Sequence, residues 1–223
     1  ARWKNLDFLA ESSHTSFKVI HLVRDPRGII ASRVSWLLKR ISREKNSTSP
    51  RNMAVRVAVE KYVGIISENL CKQMANDIND WKKRVKLGRA YAMVRYEDAS
   101  RQPLTIYKEI SKFTGVAQAA PVIGWLENNT KSSDLNYYST TRNSSAVPHM
   151  WRRSLTMRLV NEIQKNCAQV MGILGYKMVH SEWQLRNMKE PLVVDRAHDG
   201  FLRTKLYPDE YSMSINNKTL RSQ

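Results

Sequence analysis

Glycine is scarce in this chain, and the scarcity excludes a class of sites. The eight glycines, at positions 28, 64, 88, 115, 124, 172, 175 and 200, include no Gly-x-Gly pair and no Walker-type run. No segment of these residues therefore encodes a glycine-rich loop that wraps a phosphate chain in consecutive backbone N–H groups. Cysteine is nearly absent too. Two cysteines, Cys71 and Cys167, rule out a multi-bridge scaffold and a thiolate-rich zinc site. The five histidines, at 14, 21, 149, 180 and 198, do not combine with Cys or Asp at metal-ligand spacing. No run of about 18 apolar residues occurs, so nothing here reads as a membrane span. Ala1-Arg2-Trp3-Lys4 is unlike a signal peptide and lacks an initiator Met, which leads us to expect a fragment or a processed product. Acidic residues are the minority charge: 20 against 37 Lys plus Arg, a net charge of +17. Such an excess calls for a polyanionic ligand, cofactor or surface. Part of it is local, with eight basic and two acidic side chains between residues 33 and 61.

What is present concentrates in residues 17 to 33. Phe17 to Val23 is largely apolar and predicts a strand covered on both faces in a parallel sheet. Pro26 ends the strand by removing a ladder donor, and Gly28 relaxes the backbone where a helix begins. Ile30, Val34, Leu37, Leu38 and Ile41 then fall on one helical stripe. The turn sets Arg24 beside a helix N-terminus and Ser32, so that a guanidinium fork, a hydroxyl and a positive helix end converge as a phosphate dianion requires. The same residues also admit a plainer reading, a basic turn with an Arg24–Asp25 ion pair.

The remaining pattern alternates helix and strand. A long helix is expected over roughly 52 to 85, with Val55, Val59, Tyr62, Val63, Ile66, Leu70, Met74, Ile78 and Trp81 on its stripe. Tyr91 to Arg95 predicts a second short strand. Pro103 opens a helix stopped by Gly115, and Pro121 opens a shorter one. Residues 128 to 150 are polar and read as a long loop. A last helix spans about 156 to 174. After Val179 the periodicity decays, so we divide the chain into a domain over 1 to 179 and an irregular tail over 180 to 223. Four sequons, at Asn46, Asn128, Asn143 and Asn217, suit a glycosylated lumenal protein. Cys71 and Cys167 both sit on apolar stripes. Two buried thiols are one outcome, and a disulfide joining the long helix to the last one is the expected one.

The segment Val19-Ile20-His21-Leu22-Val23-Arg24-Asp25-Pro26-Arg27-Gly28-Ile29-Ile30-Ala31-Ser32-Arg33 resembles the 3′-phosphate-binding segment of the Golgi carbohydrate sulfotransferases that sulfate sugar 6-hydroxyls. Four further stretches agree in the family's order: Val94-Arg95-Tyr96-Glu97-Asp98; Phe113-Thr114-Gly115; Ser139 to Ser144 leading to Trp151-Arg152; and Ile163 to Cys167 running on to Leu174-Gly175-Tyr176. The resemblance covers Phe17 to Tyr176. It implies an α/β fold of the P-loop-kinase-like sulfotransferase type, with a parallel sheet flanked by helices. It also implies sulfonate transfer from 3′-phosphoadenosine 5′-phosphosulfate to a glycan acceptor, without a metal, in the Golgi lumen. The parent is expected to be a type II membrane protein anchored through a segment outside this chain. The family's phosphosulfate loop, absent from these residues, is expected N-terminal to Ala1, which would make this the C-terminal two-thirds of a domain, inactive alone.

Carried over residue by residue, Arg24 and Ser32 match the family's 3′-phosphate ligands. Tyr96 matches an adenine-lining position, although a tyrosine packing the core at a strand end is an equal reading. Arg142, Trp151 and Arg152 lie where the family's C-terminal loop closes over the nucleotide. Arg27 and Arg33 are assigned to the general field or to ion pairs. No catalytic base is assigned: His149, in the loop, is the best placed of the histidines, whereas His21, inside a strand, reads as a packed neutral imidazole. Two other functions fit the charge. A non-enzymatic binder of sulfated glycans would keep the basic groove without the phosphosulfate loop. A nucleic-acid-binding protein is disfavoured, because no recognition helix, zinc motif or RNA-binding motif occurs.

Overall fold

A computed structural model describes residues 18–43, 51–86, 91–130, 143–194 and 201–203. The fold is α/β, mostly helical, built on a small sheet. Strand β1 (Val19–Val23) pairs in parallel with β2 (Tyr91–Arg95), in a register that sets Val19 opposite Tyr91 and Val23 opposite Arg95. A parallel pair needs a long crossover, and two helices supply it: α1 (Pro26–Arg43) and α2 (Arg51–Lys86). Every residue of β2 is buried, as its apolar run requires. β1 differs from expectation. Ile20 and Leu22 point outward, Leu22 with 60% of its surface exposed, so the described residues cover β1 on one face only. A third strand, β3 (Phe201–Arg203), joins the other side of β2 and runs antiparallel to it.

After β2 the chain turns directly into α3 (Tyr96–Arg101), then α4 (Pro103–Thr114) and α5 (Ala120–Asn129). Pro103 occupies the first turn of α4, where a missing N–H does no harm, and Gly115 closes the helix at φ 82°. A short 3-10 turn (Val147–His149) and α6 (Trp151–Ser154) lead to α7 (Met157–Leu174). Thr156 caps the start of α7 by accepting from Leu159 N–H, and Gly175 ends it at φ 76°. The core lies between α2 and α7. Val59, Val63, Cys71 and Ile78 from the first meet Val160, Ile163, Cys167, Val170, Met171 and Leu174 from the second. The expected disulfide is there: Cys71 and Cys167 are bonded, with Cα atoms 5.2 Å apart.

The segment beyond Val179, expected to be irregular, is not so up to Val194. It carries α8 (Glu182–Arg186), buries Leu185 and Leu192 in the core, and returns through a bridge between Tyr176 and Val193. Its apolar residues are too few and too widely spaced to show periodicity, because long-range packing rather than a repeating face holds them. Of the four sequons, Asn128 lies at the end of α5 and Asn143 in an exposed turn where Ser145 Oγ donates to its Oδ1 at 2.7 Å. Asn46 and Asn217 lie outside the described residues.

Candidate functional site

The turn after β1 forms because Asp25 serves as the N-cap of α1. Its carbonyl accepts from Ile29 N–H at 3.1 Å, and its Oδ1 accepts from Arg27 N–H at 2.9 Å. Arg27 is 0% exposed. Its guanidinium clamps Asp25 through Nε and Nη2, reaches Gln164 Oε1 and the Lys177 carbonyl through Nη1, and stacks 4.3 Å from the Trp151 ring. The ion pair of this turn is thus Asp25–Arg27, not Arg24–Asp25. The positive end of α1 also differs from expectation: Asp25 already supplies it with a carboxylate, so the helix terminus is not left to an outside anion.

Pairing Asp25 with Arg27 leaves Arg24 to the other side of the turn. Its guanidinium carbon lies 4.6 Å from the centroid of the Tyr96 ring, a cation–π geometry. Its Nε is buried and has no hydrogen-bond partner among the described residues. A buried donor on a charged group is costly to leave unmade, by about 1–3 kcal/mol or more. Gly28 makes this placement possible. Its backbone is ordinary helix, but a Cβ there would sit 3.3 Å from Arg24 Nε and 3.5 Å from Trp151 Cδ1. The tight spot at 28 is thus the close approach of the Arg24 side chain, not the backbone conformation. Ser32, one helical turn further on, lies on the same face as Gly28 and is exposed.

The structure therefore brings together Arg24, Tyr96 and Gly28, with Ser32 on the adjoining turn and Trp151 beneath. Trp151 is buried, with its ring against the Arg27 guanidinium. Arg152 is a correction: it is 1% exposed and donates to the carbonyls of Gln184, Leu185, Asn187 and Glu190. Those bonds tie α8 to the core, so its donors point into the protein rather than toward a ligand. Arg142 lies outside the described residues. His21 accepts or donates at Nδ1 to Tyr91 Oη at 2.6 Å, and burial lowers its pKa, in keeping with a packed neutral ring. His149 is half-buried above the turn; burial first, then the Arg152 charge, pull its pKa down, while Asp25 opposes them. A cavity of about 410 Å³ opens at the α3–α4 junction, between Gln102, Thr105, Glu127, Thr130 and Asn143, away from these groups.

In the structure an arginine at a strand end is thus held over a tyrosine, eight residues before a helical serine. Its sequence setting matches a known family: the model of the sulfotransferase domain covers residues 5–175. The chain belongs to the sulfotransferase-domain family. Among curated proteins it is similar to carbohydrate sulfotransferase 1 of Mus musculus, 36% identical over 208 residues, which is 89% of this chain and 48% of that protein. It is similar to carbohydrate sulfotransferase 3 of Mus musculus at 32% over 205 residues, 88% of this chain and 42% of that protein. Carbohydrate sulfotransferase 5 of Mus musculus is 28% identical over 193 residues, 83% of this chain and 48% of that protein. The chain thus spans about half the length of the curated relatives it matches. No solved structure matches it.

Two residues of this sulfotransferase turn were not singled out from the sequence. Glu97 accepts from the Asp25 backbone N–H at 3.0 Å through Oε1, and from the Tyr176 hydroxyl at 2.7 Å through Oε2. Glu97 sits beside Tyr96 in the Val94–Asp98 stretch, and Tyr176 ends the Ile163–Tyr176 one. The signal was present, but nothing in either motif says that the two meet across 79 residues.

Proposed function

We propose that these residues form the 3′-phosphate side of a carbohydrate sulfotransferase, which moves a sulfonate from 3′-phosphoadenosine 5′-phosphosulfate to a sugar 6-hydroxyl of a glycan. The observation that carries this reading is Arg24: a buried, unpartnered Nε on a guanidinium stacked over Tyr96, in a sulfotransferase-family chain. Arg24 would hold the 3′-phosphate as a charged fork, Ser32 would add a hydroxyl, and Tyr96 would border the adenine. Trp151 shapes the wall behind them. The nucleotide supplies the activated sulfur: its S–O bond to phosphate breaks as one to the sugar oxygen forms, and the hydroxyl proton leaves to a base that we do not assign. In a loose in-line transfer of this kind, catalysis is mostly positioning and charge stabilisation. No metal enters the proposal. We place the reaction in the Golgi lumen, with any membrane anchor outside these residues; no helix among the described residues is long and apolar enough to cross a membrane.

One observation favours a second reading. The net charge of +17 comes without a phosphosulfate loop in these 223 residues, which a non-enzymatic binder of sulfated glycans would also show. Transfer of labelled sulfonate to keratan, chondroitin and N-acetylglucosamine-terminated acceptors separates the two. A protein that combines these residues with a phosphosulfate loop should transfer, and Arg24→Ala should abolish most of that turnover. Glycan binding without transfer in that longer protein would favour the binder.

A further inference from the structure

The Arg24–Asp25 peptide is gripped by residues far from it in sequence. Its N–H, at Asp25, donates to Glu97 Oε1, and the other oxygen of the same carboxylate receives the hydroxyl of Tyr176. Both residues are buried, Glu97 at 6% exposure. Glu97 directly follows Tyr96 in the first turn of α3, so one turn of helix holds residue 24 twice: by a ring against its guanidinium and by a carboxylate on its peptide. Tyr176 in turn is fixed by the left-handed Gly175 that ends α7 and by its bridge to Val193.

A carboxylate is an expensive choice for this place. Desolvation, then the neighbouring Asp25 charge, push its pKa up, and the Asp25 and Tyr176 hydrogen bonds only partly offset them. Two donors converge on it, and only a carboxylate offers an acceptor to each without reorienting. We infer that Glu97, oriented by Tyr176, is a positioning residue that sets the Arg24 peptide, and hence the guanidinium, for the nucleotide's 3′-phosphate. The inference rests on the reading of Arg24 given above.

Calorimetric titration of the 223-residue chain with 3′-phosphoadenosine 5′-phosphate and with adenosine 5′-phosphate tests it, because the two ligands differ only in the group that Arg24 would hold. Wild type should prefer the first. Tyr176→Phe, which keeps the ring in the core and loses one hydroxyl, should shrink that preference by about threefold to tenfold with the affinity for adenosine 5′-phosphate unchanged. Glu97→Gln should shrink it at least as much. A purely structural role would lower both affinities together, or lower only the melting temperature, and would overturn the inference. So would either folded variant with the full preference. A wild type with no preference would sink the reading of Arg24 itself, and the inference with it; a wild-type preference retained by both variants sinks the inference alone.

Discussion

At the residue scale the decisive fact is a division of labour between two arginines three positions apart. Arg27 is spent on Asp25, Gln164 and Trp151, whereas Arg24 keeps a buried donor without a partner. Charged hydrogen bonds are worth roughly 1.5–3 kcal/mol and neutral ones roughly 0.5–1.5. Arg24→Ala should therefore weaken 3′-phosphoadenosine 5′-phosphate binding by about tenfold or more, and Ser32→Ala by less. Arg24→Lys should rescue only in part, because an ammonium lacks the planar fork. Calorimetry on the three variants decides it, and equal affinities for wild type and Arg24→Ala would place the phosphate elsewhere. That Arg24 would end a strand and Ser32 fall in the helix after it was legible in the sequence, because both sit in one short strand–turn–helix motif. Which arginine Asp25 would pair with was not, since both choices fit the spacing and only the burial of Arg27 against α7 selects one. A second residue-level prediction concerns His21. Its pKa is lowered by burial, so the folded state prefers the neutral ring, and stability is present above the unfolded value near 6.5 and lost as pH falls through the folded one. Chemical denaturation of wild type and His21→Gln from pH 7.5 to 5 should show wild type losing its advantage as the solution acidifies. A constant difference across that range would mean that His21 does not titrate in it.

Among the elements, periodicity did most of the predictive work where one face of a helix meets one neighbour. The long helix was expected over 52 to 85 and runs Arg51–Lys86; the last was expected over 156 to 174 and runs Met157–Leu174. Elements shorter than two turns have no period to read, which is why α3, α6 and α8 were missed, as was β3. Two substitutions test how these elements hold the site. Gly28→Ala should leave the fold intact or raise stability by up to about 1 kcal/mol, since alanine favours a helix. Its methyl would nevertheless press on Arg24 Nε at 3.3 Å. Thermal melting should be unchanged or higher while affinity for 3′-phosphoadenosine 5′-phosphate falls by about threefold or more; unaltered affinity would show that Arg24 can shift without loss. The Cys71–Cys167 bond closes a separation of 96 residues between α2 and α7. The chain-entropy account gives about 4–5 kcal/mol for such a loop, and measured values more often fall near 2–4. Denaturant unfolding with and without reductant should differ by about 2–4 kcal/mol, and superimposable curves would mean that α2–α7 packing alone suffices.

For the whole molecule, the sheet points to one edge. Arg24 lies at the C-terminal end of β1, beside Tyr96 at the C-terminal end of β2, which is where open α/β sheets bind their ligands. The sequence showed the sheet's parallel core, but not that β1 would be left with Leu22 bare among the described residues, because exposure depends on what packs against a strand and not on the strand itself. The net charge of +17 acts on anything anionic that approaches this edge. Binding and transfer should therefore come apart in these 223 residues. On the reading proposed above, these residues carry the half of the site that would hold a phosphate, and no glycine-rich loop of the kind that would hold the sulfonate in line with the acceptor hydroxyl occurs among them. Positioning and charge stabilisation are most of what such an enzyme supplies, so half a site should not retain a proportionate share of the rate. We expect the chain alone to bind 3′-phosphoadenosine 5′-phosphate and sulfated glycans weakly. That binding should fall several-fold as salt rises from about 0.1 M to about 1 M and the screening length shrinks from about 10 Å to about 3 Å. The same chain should transfer no labelled sulfonate to a sugar acceptor. Salt-insensitive binding would show that the charge excess is not what holds these ligands, and robust turnover would mean that the sulfonate is held by residues of this chain other than a glycine-rich loop.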